Sequence, residues 1–201
     1  MIYLVRHGET EWNLARRMQG RMESRLTALG RRQAAAMARL LAELVKRDPP
    51  ARWRLVSSPL GRARETAEAI SARLELPVEI DERLSEIAFG EWEGRLRDEV
   101  SPQHPELFAS RDWLVSPPGG ETYEEVWARA SGWLAEQLAD PQHRVIAVSH
   151  GVTGRLVRGA YAGLGRRDTL MQDVPQDAVY RLANGQVDRF DCEPLEDASA
   201  P

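Results

Sequence analysis

Two stretches of the chain, YLVRHG at residues 3–8 and IAVSHG at residues 146–151, are short apolar runs that each end in a histidine followed by a glycine. Apolar runs of this length and composition predict buried strands. In an open parallel sheet, the carboxyl ends of the strands line the ligand crevice. We therefore expect His7 and His150 to lie together at one edge of a central sheet.

Further strands and helices alternate around these two runs. The patterns predict a helix from a Thr27 cap to about Lys46 and strands at 53–56 and 78–80. Within 57–74 they predict a helix with Ser58 as its cap and Pro59 at its first position. Further along the chain they predict a helix at about 122–138, a helix from near Val152 and a hairpin around Asn184-Gly185. This alternation predicts an α/β fold, a three-layer α/β/α sandwich with a mostly parallel central sheet.

Domain organisation is read from length and composition. The 201 residues show no composition break, which favours one domain over residues 1–192 and a loose tail over residues 193–201. The stretch from Phe89 to Pro118 is irregular and carries four prolines. We expect the part near residues 94–118 to form a lid excursion, because such excursions often cover an active site.

Charge and cysteine usage limit the partners. The formal net charge is −4, which argues against nucleic acid and anionic membranes, because both demand a basic face. The single cysteine, Cys192, fits a reducing compartment, and we expect a cytoplasmic protein. No run of about 18 apolar residues predicts a membrane span, and the segment before Arg6 is too short for a signal peptide.

Arg62 is the third element that points to the histidine edge of the sheet. It falls in the first turn of a predicted helix, where the helix dipole favours anions and a cation is locally unfavourable. A helix start with a guanidinium fork and two imidazoles suits a phosphate, and Arg6 supplies a second fork. The simpler alternatives are pairing of Arg62 with Glu65 or Glu68, and histidines that only serve turns.

Six motifs together resemble the histidine phosphatase superfamily, which also contains the cofactor-dependent phosphoglycerate mutases. They occur in the family's order from about Ile2 to Val157: RHGETEWN (6–13), RMQGRMESRLTALGRRQA (17–34), SSPLGRARETA (57–67), LSEIAFGEWEG (84–94), PGGET (118–122) and VSHG (148–151). The set is specific, although each motif alone is weak.

The resemblance implies a role for each matching residue. His7 would be the nucleophile that becomes phosphohistidine, and Glu86 would be the general acid and base. The residues that would bind the phosphoryl group and substrate are Arg6, Asn13, Gln19, Gly20, Arg62 and His150. Fixed donors of this kind neutralise phosphoryl oxygens without a metal, so neither a metal nor another cofactor is implied.

Departures from the mutase pattern favour hydrolysis of small phosphomonoesters. Phe89 stands where the mutases have a substrate-binding tyrosine, and the mutases' adjacent arginine pair is absent, because Arg95, Arg97 and Arg111 are separated. A mutase that moves phosphate between hydroxyls remains the alternative, and a non-catalytic phosphate-binding relative is a third.

Substrate identity and oligomeric state stay open. Trp92, Phe108 and Trp113 suggest an apolar pocket wall, and the three separated arginines could hold a second anionic group. The helix that contains Trp127 and Trp133 is compatible either with a core position or with a homodimer interface.

Overall fold

The computed structural model describes residues 1–48, 52–140, 142 and 144–193, and its centre is a six-stranded sheet. The strand order is β3-β2-β4-β1-β5-β6. The strands are β1 (Ile2–Arg6), β2 (Trp53–Ser57), β3 (Val78–Ile80), β4 (Arg144–Ser149), β5 (Ala178–Ala183) and β6 (Gln186–Asp191). The first four pair in parallel, while β5 and β6 form an antiparallel hairpin on the β1 edge. The mostly parallel sheet is confirmed.

The helices form a layer on each face of the sheet. Helices α2 (Ala28–Arg47) and α3 (Gly61–Leu74) share an apolar core with one face, and α6 (Tyr123–Ala139) and α7 (Gly151–Ala162) share another core with the opposite face. The shorter helices are α1 (Glu11–Leu14), α4 (Arg97–Val100), α5 (Pro105–Ser110) and α8 (Arg166–Met171). The three-layer prediction is confirmed, but these four short helices were not predicted, because one or two turns leave little periodicity.

The start of α3 corrects one prediction. The helix begins at Gly61 rather than Pro59, and Leu60 occupies the N-cap position without a side-chain cap. The carboxylate of Glu23, from a distant segment, accepts from the Gly61 N–H at 2.9 and 3.1 Å instead. Ser58 is consequently released from helix capping.

The lid is built from short helical turns rather than an open loop. Three-residue 3₁₀ turns at Gly90–Trp92, Ser101–Gln103 and Asp112–Leu114 alternate with α4 and α5. Backbone hydrogen bonds tie it to the segment after α1, where Met18 N donates to Arg95 O and Gly94 N donates to Met18 O, both at 2.9 Å. The lid is thus held beside the sequence that follows the first histidine.

Two predictions concern the ends and the environment of the chain. Residues 194–201 of the predicted loose tail lie outside the described residues. Among the residues that the structure describes, no helix has the length and apolarity that crossing a bilayer requires.

Candidate active site

Three neighbouring strands end at the same edge of the sheet and bring distant residues together. β1 and β2 both pair with β4, so the residues after these strands are neighbours. The N–H of His7 donates to Ser149 O at 3.1 Å, and the N–H of Ser58 donates to Val148 O at 3.0 Å. The rings of His7 and His150 lie 5.1 Å apart. The prediction of two histidines at one edge is confirmed.

His7 is held in one tautomer. Its Nδ1 lies 2.7 Å from the carbonyl oxygen of Gly8, which can only accept, so Nδ1 carries the proton. Its Nε2 therefore has a lone pair, and the Arg62 Nε–H points at it from 3.3 Å. Burial, and then the charges of Arg62 and Arg6, lower the pKa of His7 well below its ordinary value. The ring is thus neutral, with Nε2 available to attack.

Two guanidinium groups flank this imidazole. Arg62 donates to Gly20 O at 2.7 Å and to Met22 O at 3.0 Å, and burial lowers its pKa to about 10. Arg6 donates through Nη1 to Val174 O at 2.8 Å, while its buried Nε has no partner among the described residues. Both side chains are anchored by backbone carbonyls, and their positive charges beside His7 suit an anion.

Gln19 and Asn13 approach the site from the segment between β1 and α2. With its amide placed so that both ends are satisfied, Gln19 donates to Thr10 Oγ1 at 3.2 Å and accepts from Arg62 Nη1 at 3.3 Å. Asn13 Oδ1 accepts from the Thr10 N–H at 3.2 Å. Gly20 has a positive φ of 55°, and its carbonyl accepts from Arg62. This segment therefore supports Arg62 as well as lining the site.

Glu86 reaches the site across the amino end of α7. One carboxylate oxygen accepts from the N–H groups of Ile87 and Thr153 at 3.1 and 3.0 Å, and the other accepts from Val152 N–H at 3.0 Å. The Thr153 hydroxyl donates to the carbonyl of Ser85 at 2.6 Å and lies 3.3 Å from the first of these Glu86 oxygens. These contacts hold the carboxyl group of Glu86 in one place at the amino end of α7.

A cavity of about 400 Å³ opens at this edge of the sheet. Every predicted site residue except His150 lines it. His150 is only 1% exposed; its ring lies 5.1 Å from that of His7, and its Nε2 contacts Ser58 Oγ at 2.7 Å. The structure therefore gathers all the predicted residues, with His150 buried beside His7.

The lid contributes only part of what was expected. Arg97 and Trp113 line the cavity, together with Phe89. Trp92, by contrast, is buried in the core, and Phe108 lies behind Trp113, stacked on it with ring centroids 4.9 Å apart. The expected wall of three aromatic side chains is thus wrong for Trp92 and Phe108, because both are used in packing.

The family follows from comparison with known proteins. A family model for the histidine phosphatase superfamily (branch 1) matches residues 2–189. The chain belongs to this superfamily. The match also confirms the prediction of an enzyme of the histidine phosphatase type.

Relatives of this histidine phosphatase include both phosphatases and mutases. Glucosyl-3-phosphoglycerate phosphatase of Mycobacterium tuberculosis is 35% identical over 161 residues, which cover 75% of this chain and 70% of the relative. A probable phosphoglycerate mutase, GpmB of Proteus mirabilis, is 40% identical over 158 residues, covering 75% and 69%. The structure of the mycobacterial glucosyl-3-phosphoglycerate phosphatase with VO3 has a TM-score of 0.80 and 29% identity, covering 96% of this chain and 98% of that one.

Gln176 and Arg155 are among the cavity-lining residues of this histidine phosphatase that sequence reasoning missed. Gln176 donates to Asn13 Oδ1 at 2.9 Å and to His7 O at 3.3 Å. Its position in a loop before β5 leaves no signal in the sequence. Arg155 is buried on α7, and burial lowers its pKa to about 10. An arginine on an otherwise largely apolar helix after the second histidine was a usable signal.

One loop anchors three buried arginines, of which Arg6 and Arg155 line the cavity. The carbonyl of Gln172 accepts from Arg155 Nε at 2.7 Å, the next carbonyl accepts from Arg158 Nη2, and the carbonyl of Val174 accepts from Arg6 Nη1 at 2.8 Å. Arg158 also pairs with the carboxylate of Asp173 at 3.7 Å. The carbonyl contacts of Arg6 and Arg155 hold both cations at the cavity without removing their charge.

A metal site in a protein needs several ligating side chains close together. Within the residues that the structure describes, no three His, Cys, Asp or Glu side chains cluster in a way that could hold a metal ion. Besides the carboxylates of Glu9 and Glu86, the charged side chains that line the cavity are arginines.

Proposed function

We propose that this histidine phosphatase hydrolyses small phosphomonoesters without a metal, through a phosphohistidine on His7. The observation that carries the proposal is the tautomer of His7. Its proton is held on Nδ1 by Gly8 O, and its Nε2 lone pair lies beside the guanidinium groups of Arg62 and Arg6. A neutral imidazole with a free nitrogen is the form that can attack phosphorus.

The first step forms a bond between Nε2 and phosphorus while the ester P–O bond breaks. Negative charge spreads over the phosphoryl oxygens, and Arg6, Arg62 and His150 would supply the donors that stabilise it. Asn13 would add an amide donor, because its Oδ1 is already engaged by Thr10 and Gln176. The leaving alkoxide takes a proton from Glu86.

The second step reverses the proton flow. Glu86, now a carboxylate, takes a proton from a water molecule, the water oxygen bonds to phosphorus, and the P–N bond to His7 breaks to release phosphate. The acceptor geometry of Glu86 suits this step directly. In the first step the same carboxyl group is the proton donor to the leaving oxygen.

Hydrolysis is preferred to phosphate transfer because of the cavity wall. Phe89 lines the cavity and stacks against Trp113 at 6.0 Å between ring centroids, so it offers no hydroxyl to a second substrate group. The similarity to a probable phosphoglycerate mutase keeps transfer between hydroxyls as the second candidate.

The cavity also suggests a substrate class. Arg97 lines it next to Trp113 and stacks on that ring at 4.9 Å, and no carboxylate of the described residues pairs with it at ion-pair distance. Arg95 and Arg111, the other arginines considered, do not line the cavity. We propose a small phosphorylated metabolite with a second anionic group that meets Arg97, as in the phosphoglycerate named for several relatives.

Three further predictions accompany this function. We propose that the enzyme works in the cytoplasm, an interpretation supported by the single cysteine. Its partner would be a small molecule rather than nucleic acid or membrane. A homodimer remains a prediction to be checked by light scattering.

The deciding experiment follows phosphate release from a panel of phosphomonoesters, including para-nitrophenyl phosphate and 3-phosphoglycerate, with excess EDTA throughout. His7→Asn is the test variant, and acid-labile phosphoenzyme is trapped from wild type with radiolabelled substrate. We expect release without metal, a labelled wild type, and neither release nor label in His7→Asn.

Other outcomes identify the alternatives. Interconversion of 2- and 3-phosphoglycerate that depends on a bisphosphate primer, without net release, would make the enzyme a mutase. Phosphate binding with neither turnover nor label would make it a non-catalytic relative.

A further inference from the structure

The hydroxyl of Ser58 contacts the second histidine, a contact that helix capping does not explain. Ser58 Oγ lies 2.7 Å from His150 Nε2, and both residues are almost completely buried. Ser58 follows β2, whereas His150 follows β4, so the contact exists because these strands are neighbours. Ser58 is released for it because α3 begins only at Gly61.

The donors and acceptors around this hydroxyl decide where its proton lies. Ser58 Oγ already accepts from the Leu60 N–H at 3.3 Å. Among the described residues, His150 Nε2 is the acceptor in reach of the Ser58 O–H. A hydroxyl has one proton to donate, and a fully buried one is expected to use it. Nε2 of His150 then acts as the acceptor and carries no proton.

The other ring nitrogen must therefore hold the proton of a neutral imidazole. His150 is neutral, because burial and the charge of Arg62 lower its pKa well below the ordinary value. Its Nδ1 is buried and has no partner among the described residues. A buried N–H without a partner is costly unless it serves a ligand. Its ring stands 5.1 Å from that of the nucleophile His7.

We propose that Ser58 is a positioning residue that holds His150 in the Nδ1–H tautomer, so that Nδ1 donates to a phosphoryl oxygen. This inference rests on the proposed function, since it assumes that phosphate binds beside His7. Without the hydroxyl, the Nε2–H tautomer becomes available and turns the Nδ1 lone pair toward the anion. The anion then loses a donor and meets an acceptor.

The tautomer can be measured directly. In ¹⁵N-histidine-labelled protein at pH 7.5, two-bond ¹H–¹⁵N correlation spectra distinguish a protonated from an unprotonated ring nitrogen. The chain has four histidines, so His150→Gln assigns the resonances of His150. We expect protonated Nδ1 and unprotonated Nε2 in the wild type, and a shift of the population toward Nε2–H in Ser58→Ala.

Binding and turnover provide a second readout. We expect Ser58→Ala to weaken inorganic phosphate binding and to lower kcat/KM by about tenfold, the usual scale for one hydrogen bond to a charged group. Ser57→Ala is the matched control. Ser57 is also fully buried, at the end of the same strand, but its hydroxyl donates to Ser58 O at 2.9 Å and does not reach His150. We expect it to keep both the wild-type tautomer and the wild-type affinity.

Two results would overturn the inference. The first is a wild-type His150 with its proton on Nε2. The second is a Ser58→Ala protein whose tautomer and phosphate affinity match those of Ser57→Ala. The spectra need no turnover, so a protein without phosphatase activity but with the expected tautomers would contradict the proposed function alone.

Discussion

Gln176 donates a hydrogen bond of 2.9 Å to Asn13 Oδ1, although the two residues are 163 positions apart in the chain. The same Asn13 oxygen accepts from Thr10 N–H, so both contacts require the oxygen to face the protein. The amide NH₂ of Asn13 consequently has to face away from these donors. Gln176 thereby adds a long-range contact to the orientation that Thr10 gives Asn13 within the motif.

We expect Gln176→Glu to lower kcat/KM by at least about tenfold, and more than Gln176→Ala does. The glutamate places an acceptor and a negative charge against Asn13 Oδ1, whereas alanine only removes the donor. Steady-state kinetics with para-nitrophenyl phosphate measure both. Gln103→Glu makes the same change on an exposed glutamine and should leave kinetics unchanged. Equal rates for Gln176→Glu and wild type would contradict the orienting role.

Replacing Glu86 should slow the hydrolysis of esters with poor leaving groups more than that of esters with good ones. An alkoxide needs a proton as it leaves, whereas para-nitrophenolate does not, so Glu86→Gln should reduce kcat/KM for alkyl phosphates by about 10²–10⁴-fold and for the nitrophenyl ester far less. The ratio kcat/KM is used because it reports the first step and not the later hydrolysis that all esters share. Rates measured across esters of graded leaving-group acidity give this dependence. Glu91→Gln, on an exposed lid residue, is the control. The same loss for every ester would show that Glu86 does not act as the acid.

Replacing Arg97 should weaken the binding of substrates that carry a second anionic group and leave the binding of substrates with a single phosphate unchanged. We expect Arg97→Ala to raise KM about tenfold for 3-phosphoglycerate and to leave KM for para-nitrophenyl phosphate within about twofold. Arg95→Ala is the control, since that side chain does not line the cavity. If KM rises equally for both substrates, Arg97 has a structural role in the lid and does not bind a second anionic group.

The two neutral histidines should make the protein less stable in mild acid. Burial, with neighbouring arginines, lowers the pKa values of His7 and His150 in the folded chain, while an unfolded histidine has a pKa of about 6.5. Below pH 6.5 the unfolded chain therefore binds protons that the folded chain does not, so stability falls as pH falls. At pH 5.5 each histidine should lower the free energy of unfolding by about 1.4 kcal/mol relative to its value at pH 7.5.

Urea unfolding at pH 7.5 and 5.5 tests this linkage. Between pH 7.5 and 5.5, His7→Asn and His150→Asn should each lose less free energy of unfolding than the wild type. The difference should be about the contribution given above for one histidine. A wild-type protein whose stability is flat across this interval would show that one or both rings take up a proton in the folded state.

Gly30 allows the His7 loop to pack against α2. A Cβ atom on Gly30 would lie 2.0 Å from Glu9 O, and one on Gly8 would lie 2.2 Å from Gly30 O. We expect Gly30→Ala to reduce the free energy of unfolding by about 3 kcal/mol, because backbone atoms must move apart. Gly132→Ala, on an exposed position of α6 with no atom within 4 Å, should instead add about 0.5–1 kcal/mol. Urea unfolding of both variants measures these changes. Equal free energies of unfolding for the two variants would contradict the close approach of Gly30 to the Glu9 carbonyl.

The local pattern of the chain is sufficient for most of the fold. Apolar runs predicted strands β1 to β4, and the AVYRLANGQVDRF pattern predicted the hairpin of β5 and β6, whose Asn184-Gly185 turn has both φ angles positive. The lid turns were not predictable, because their short helices depend on backbone contacts with the segment that contains Met18. The start of α3 was misplaced for a similar reason, since its cap comes from Glu23, far away in the chain.

The sequence by itself determined the family, the sheet and the set of groups at the strand ends, because these depend on local hydrophobic pattern and on motifs in a known order. Only the tertiary structure decided how those groups are oriented. The proton of His7 lies on Nδ1 because Gly8 O accepts it, Asn13 is turned by Gln176, and His150 is buried against Ser58. Hydrogen bonds are directional, and those between Asn13 and Gln176 and between His150 and Ser58 join distant segments, so these partners become known only when the strands are aligned.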